Sequence, residues 1–236
     1  MSFHAVYRLR QQRLASSTRP YLARGGKIPR CDLCRVRKEA CICHLRPQAA
    51  PVQAGFCLLM FDTEPMKPSN TGYLIADVLP ENTWAFLWSR TQVDPELLKL
   101  LADPRWQPYV VFPESYAAAD RQIAAATHVS SPDDNKRPLF ILLDGTWPEA
   151  KKMFRKSPYL DHFPLLPLRG GALSRYALRQ AANPEQLCTA EVAIALLHMA
   201  AESAAAGRLE QWFTLFKTHY LAGCPAHGSQ LSEECE

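Results

Sequence analysis

Two sets of residues have the types and spacing for chemistry. Cys31-x2-Cys34-x6-Cys41-x-Cys43 places four thiols within thirteen positions, and four soft donors on one compact loop suit a tetrahedral zinc ion. With every coordination position filled by protein, no open site is left for catalysis. The expected work of the metal is to fold a knuckle that presents Arg30, Arg35, Arg37 and Lys38 to RNA. The C-x-C half is less typical, which leaves His44 as a substitute for one cysteine; iron–sulfur ligation is a second alternative, and a redox dithiol would need only two of the four. The second set is Asp144-Gly145-Thr146-Trp147, where a carboxylate, a glycine and an indole follow the apolar run Leu139–Leu143. This is the pattern of an active-site loop, although a turn with a packed tryptophan would use the same residue types.

The elements that must position the acid are legible around it. Leu139–Leu143 is short, apolar and preceded by Pro138, which suits a strand buried on both faces of an α/β sheet. Thr146 and Glu149 form a capping box and Pro148 is tolerated in a first helical turn, so a helix should start at the loop itself. Along that helix Lys151, Lys152, Arg155 and Lys156 fall mostly on one side, while Met153 and Phe154 can reach the core. A solvated helix face is the commoner meaning of such a cluster, but this one begins at Asp144. Arg169, Arg175 and Arg179 extend the basic track, with Tyr176 available for stacking on an exposed base.

Further out, residues 1–30 form a basic helical arm, 31–50 the cysteine module and 51–236 the main domain. Candidate strands are Phe56–Phe61, Trp84–Trp88, Tyr109–Phe112, Leu139–Leu143 and Leu165–Leu168. Candidate helices are Gly72–Leu79, Pro95–Ala102, Ser115–Ala126, Pro148–Lys156, Ala190–Ala201 and Leu209–Tyr220. The alternation predicts a mostly parallel sheet with helices on both faces, its ligand at the common edge marked by Asp62, Ser89, Arg90, Pro113 and Asp144.

Composition sets limits on partners and compartment. Four of the eight cysteines crowd into one loop with no export signal, which points to a reducing, cytoplasmic setting rather than a disulfide scaffold. The most apolar long segment, Val192–Ala201, is too short to span a bilayer. Ten Lys or Arg against two acids give the first forty residues +8 of the net +4, leaving −4 for the rest. Such a field attracts phosphate backbones, whether as an RNA-binding arm or a solvated one. No obligate protein partner is implied.

The segments LLMFDTEPMKPSNTG, VVFPESYA, DGTWPEAKKMFRKSPYL and CTAEVAIALLHMA, together with the cysteine cluster, resemble the DTW-domain family in the same order over nearly the whole chain. The resemblance implies a tRNA-uridine aminocarboxypropyltransferase that uses S-adenosylmethionine, and a SPOUT-like fold whose C-terminal chain passes through a knot. It implies that the co-substrate is lined by Asn70, Thr71, Gly72, Phe112, Pro113, Leu143, Gly145, Thr146, Thr189 and Glu191. Physical reasons accompany these positions: free N–H groups at a helix start near Gly72 for a carboxylate, apolar surface from Pro113, Leu143 and Trp147 for adenine, and Thr189 as cap of a helix with Glu191 in its first turn. Asp144 becomes the base or the group that orients the sulfonium, and Trp147 packs against co-substrate or uracil. Many family members have histidine-proline where this chain has Phe61-Asp62-Thr63, so no catalytic role is carried to Asp62. A SPOUT-like RNA methyltransferase and a non-catalytic zinc-dependent RNA-binding factor are the alternatives.

Overall fold

A computed structural model describes residues 3–18, 21, 28–124, 129, 136–168 and 187–222. Five strands, β1 (Gly55–Met60), β2 (Thr83–Leu87), β3 (Trp106–Val111), β4 (Arg137–Asp144) and β5 (Leu165–Leu166), form one sheet in the order β2-β1-β4-β3-β5. Every pairing is parallel, so all five C-terminal ends lie along one edge. Runs such as Phe56–Met60 and Leu139–Leu142 are buried throughout because both faces of the sheet are covered.

Alternation along the strands sorts the core into two layers. Phe56, Leu58, Met60, Phe140 and Leu142 face α1 (Ala5–Ala15), α2 (Gly72–Val78), α5 (Thr189–Met199) and α6 (Ser203–Ala222). Cys57, Leu59, Leu139 and Ile141 face α3 (Pro95–Ala102) and α4 (Trp147–Arg155). The cysteine turn is not a separate bead: Cys34, Val36 and Ile42 are fully buried in the first layer beside Val6 and Leu9 of α1. A buried acid ties this side together. Asp77 of α2 meets His4 Nε2 at 3.3 Å, Arg46 at 3.1 Å and the Trp212 indole N–H at 2.9 Å, joining the arm, the exit of the cysteine turn and α6.

Among the described residues, up to Ala124, one expected helix does not form. Ser115–Ala126 has the alanines of a helix former, yet only Glu114–Tyr116 makes a 3-10 turn, and the chain then extends along β5. Ala124 N–H donates to Leu165 O and Leu165 N–H to Gln122 O, so pairing at the sheet edge overrides propensity.

The crevice follows from topology. Met60 and Asp144 are register partners at the ends of adjacent strands, but the chain leaves β1 toward α2 on one face and leaves β4 toward α4 on the other. Connections that diverge from neighbouring parallel strands open a cleft beyond their C-terminal ends. Among the described residues no helix is long and apolar enough to cross a membrane.

Candidate active site and metal centre

Asp144 closes β4 on the α2/α5 face and is 3 % exposed. Thr189 Oγ1 donates to its Oδ1 at 2.5 Å and Asn70 Nδ2 to its Oδ2 at 2.8 Å. Gly72 explains how the helix start can lie so close, since a Cβ there would stand 2.7 Å from Asp144 Oδ2. The same Asn70 amide donates at 3.1 Å to Glu64, a second buried carboxylate, which Lys67 neutralises at 2.5 Å while standing 3.9 Å from Glu149. Burial, and then the neighbouring charge of Glu64, push the Asp144 carboxyl up to about 7 against the pull of the Thr189 and Asn70 hydrogen bonds. At neutral pH this acid therefore stands between its two protonation states.

Trp147 belongs to the other face. Its ring stacks on Phe112 with centroids 5.4 Å apart and meets Tyr116 edge-on at 5.8 Å. Lys151 Nζ lies 5.0 Å from both the Tyr116 and Trp147 centroids. Beside them Phe61 stacks on Trp88 at 5.9 Å, with Lys152 Nζ within 5.7 Å and 5.8 Å of the two rings. The sheet edge thus carries a polar pocket around Asp144 and an aromatic shelf around Trp147, joined by the loop Gly145–Thr146. The α4 capping box holds that loop, with Thr146 N–H donating to Glu149 at 2.7 Å.

The sequence-predicted residues distribute accordingly. Asn70, Gly72 and Thr189 gather on Asp144, and Thr71 sits among them, its hydroxyl accepting from Ala190 N–H at 3.2 Å. Phe112 and Trp147 form the shelf, with Leu143 packed against the same layer and Pro113 beginning the 3-10 turn that brings in Tyr116. Thr189 is not the cap of α5: Cys188 holds that position, Glu191 closes the box by accepting from Cys188 N–H at 2.9 Å, and the Thr189 hydroxyl turns to Asp144 instead. The free N–H expected at Gly72 is followed by one already used, since Tyr73 N–H donates to Asn70 Oδ1 at 3.3 Å. Asp62 makes a bidentate pair with Arg13 of the arm at 2.6 and 2.9 Å. Glu64, Lys67, Phe61, Trp88 and Tyr116 were missed individually. Nothing in the string marks Glu64 as buried, whereas Phe61 and Trp88 each directly follow a strand and were findable by that position.

The four cysteine Sγ atoms all lie within 4.8 Å of one another, with Cys31 and Cys43 3.5 Å apart and Cys34 and Cys41 3.7 Å apart. A tetrahedral zinc ion with Zn–S bonds of about 2.3 Å sets its sulfurs about 3.8 Å apart, so the set fits one ion. A polynuclear cluster would spread its thiolates further. His44 is exposed and lies outside the group. Burial opposes ionisation of Cys31, but the Cys34 and Leu33 N–H groups and the neighbouring thiols outweigh it and bring the thiol down to about 7.

The candidate RNA contacts divide. Lys38, Lys152, Arg155 and Lys156 are exposed, and Arg30, Arg37 and Lys151 are partly covered. Arg30 lies 4.8 Å over the Tyr220 ring. Arg35 is turned inward, 7 % exposed, donating to Pro65 O at 3.1 Å and Lys67 O at 3.2 Å, and burial lowers its pKa to about 10. It is a strut rather than a surface cation. Arg175, Arg169, Arg179 and Tyr176 fall outside the described residues.

An all-parallel sheet covered by helices on both faces, with a four-cysteine turn packed against one of them, defines an α/β protein whose clustered thiols could hold a zinc ion. The chain matches the DTW domain over residues 28–221 and belongs to the DTW-domain family. The match includes the cysteine turn, and membership fits a function in tRNA modification. No solved structure matches the chain significantly.

Proposed function

We propose that the protein is a tRNA-uridine aminocarboxypropyltransferase, which moves the 3-amino-3-carboxypropyl group of S-adenosylmethionine to N3 of a variable-loop uridine and releases methylthioadenosine. The observation that carries this reading is the DTW-domain match over residues 28–221, together with a buried carboxyl, Asp144, hydrogen-bonded to Thr189 and Asn70 at the C-terminal edge of the sheet. S-adenosylmethionine supplies a sulfonium leaving group beside the carbon to be attacked. The chain's own residues must then hold it, align the uracil and take the N3 proton.

Asp144 is the proton acceptor in this account. Since its side chain is almost wholly buried, the half-buried Thr189 hydroxyl, already donating to Oδ1, is the path by which the proton reaches it. Asn70 fixes the second oxygen and keeps Glu64 apart from Asp144. Trp147, backed by the buried ring of Phe112, offers flat apolar surface for adenine or uracil. The zinc ion would be held by Cys31, Cys34, Cys41 and Cys43 as a structural ion, and the tRNA would lie over the exposed cations of α4.

Calorimetric titration with S-adenosylmethionine should show one site per chain, weakened in Thr189→Val far less than turnover is. Absence of any binding would favour an RNA-binding factor without catalysis. For the RNA face, Arg155→Ala with Lys156→Ala should weaken tRNA binding and reduce the slope of log K against log salt by about 2, roughly one per lost phosphate contact. An unchanged slope would place the tRNA elsewhere.

A further inference from the structure

The cysteine turn meets the Asp144 pocket through two buried hydrogen-bond links that its expected role in gripping RNA does not use. Arg35 follows Cys34 and adopts φ 65°, a left-handed conformation that glycine takes at lower cost than any other residue. The turn itself needs that conformation, with Arg35 N–H donating to Cys31 O at 3.0 Å and Cys31 N–H to Val36 O at 2.8 Å. An arginine here bears backbone strain, and its guanidinium is buried against two carbonyls, Pro65 O and Lys67 O. Those carbonyls lie within the segment that carries Glu64, Lys67 and Asn70. The second link runs from the other side: Tyr73 Oη donates to Cys34 O at 2.6 Å, and Tyr73 N–H donates to Asn70 Oδ1 at 3.3 Å.

We infer that the metal turn acts as a positioning element for the 62–73 loop, with Arg35 and Tyr73 transmitting its rigidity to Asn70 and hence to the carboxyl of Asp144. The metal's importance to the reaction is then the geometry of the polar pocket, and Arg35 is a positioning residue that never touches RNA. This inference rests on the transferase reading for its kinetic consequence, but not for its structural one.

Arg35→Gly is the discriminating variant, because glycine relieves the strained turn while deleting the strut. We expect it to retain stoichiometric metal and its tRNA affinity to within about twofold, while amide exchange across 62–73 speeds up at least about tenfold through loss of local protection. The KM for S-adenosylmethionine should rise by about tenfold with the KM for tRNA unchanged, a split that a general loss of stability does not produce. Arg35→Lys, whose shorter side chain brings its one nitrogen less close to the two carbonyls that Arg35 Nη2 now serves, should fall between, and Tyr73→Phe should loosen the same segment from the other link. Unchanged exchange in 62–73 for both Arg35→Gly and Tyr73→Phe overturns the inference, as does a loss of tRNA affinity with co-substrate affinity intact. Should the wild-type protein bind no S-adenosylmethionine, the transferase reading fails, and the exchange measurement still decides whether the strut exists.

Discussion

Asp144→Asn is expected to lower aminocarboxypropyl transfer by about 10²-fold or more, the range for removing a positioned general base, while leaving metal content unchanged. Its effect on stability should run the other way as pH rises. The folded carboxyl holds its proton up to about pH 7 because it is buried beside Glu64, whereas the unfolded one releases it near pH 4. Stability from this group is full below about pH 4, is lost between pH 4 and 7, and above pH 7 is replaced by a constant cost of a few kcal/mol. The asparagine variant carries no such cost, so its melting temperature relative to wild type should climb as pH is raised from 4 to 8, measured by calorimetry at matched ionic strength. Turnover of the wild type should rise about tenfold per unit below pH 7 and level above it. A variant that keeps full activity, or a wild-type profile flat between pH 5 and 8, would remove Asp144 from the proton's path.

The second large effect is expected at the cysteine turn. Cys34 is fully buried among Val36, Ile42 and the residues of α1 and α2, so its loss as a ligand opens the core as well as the metal site. Cys34→Ser should abolish stoichiometric zinc and lower the melting temperature by about 10 °C or more, given a metal contribution of several kcal/mol and roughly 2–4 °C per kcal/mol at this chain length. Elemental analysis and calorimetry read both quantities. Retention of one zinc with an unshifted transition would contradict a four-thiolate structural site.

The parts of the fold that were legible in the sequence are those whose signal is local. The strand ending at Asp144 announces itself by an unbroken apolar run, and α4 by Thr146, Pro148 and Glu149 at fixed offsets. The cysteine spacing carries its chemistry in the string, and the gathering of the four sulfurs agrees with it. What could not be read depends on long-range contacts. The alanines of 115–126 favour a helix until Ala124 finds Leu165, forty-one residues away, as a backbone partner. Arg35 looks like a surface cation beside other cations, and only its distance to the Pro65 and Lys67 carbonyls reveals a strut. Asp144 and Trp147 sit three positions apart, yet strand alternation and the turn into α4 send them to opposite faces of the sheet, one to a polar pocket and one to an aromatic shelf.

The same alternation gives the site its division of labour. Asp144 with its hydrogen-bond partners Thr189 and Asn70 is buried on the α2/α5 side, and the ring of Trp147 with Lys151 lies on the α4 side, the arrangement that the proposed reaction would use. The loop from Gly145 to Thr146 is the short bridge between the two sides.

The central claim is tested most directly by incubating the purified protein with unmodified tRNA and S-adenosylmethionine, then analysing the digested nucleosides and the released small molecule by mass spectrometry. The account predicts a uridine carrying the aminocarboxypropyl group together with methylthioadenosine, and neither with Asp144→Asn. A methylated nucleoside with S-adenosylhomocysteine, or tRNA recovered unmodified, would contradict it.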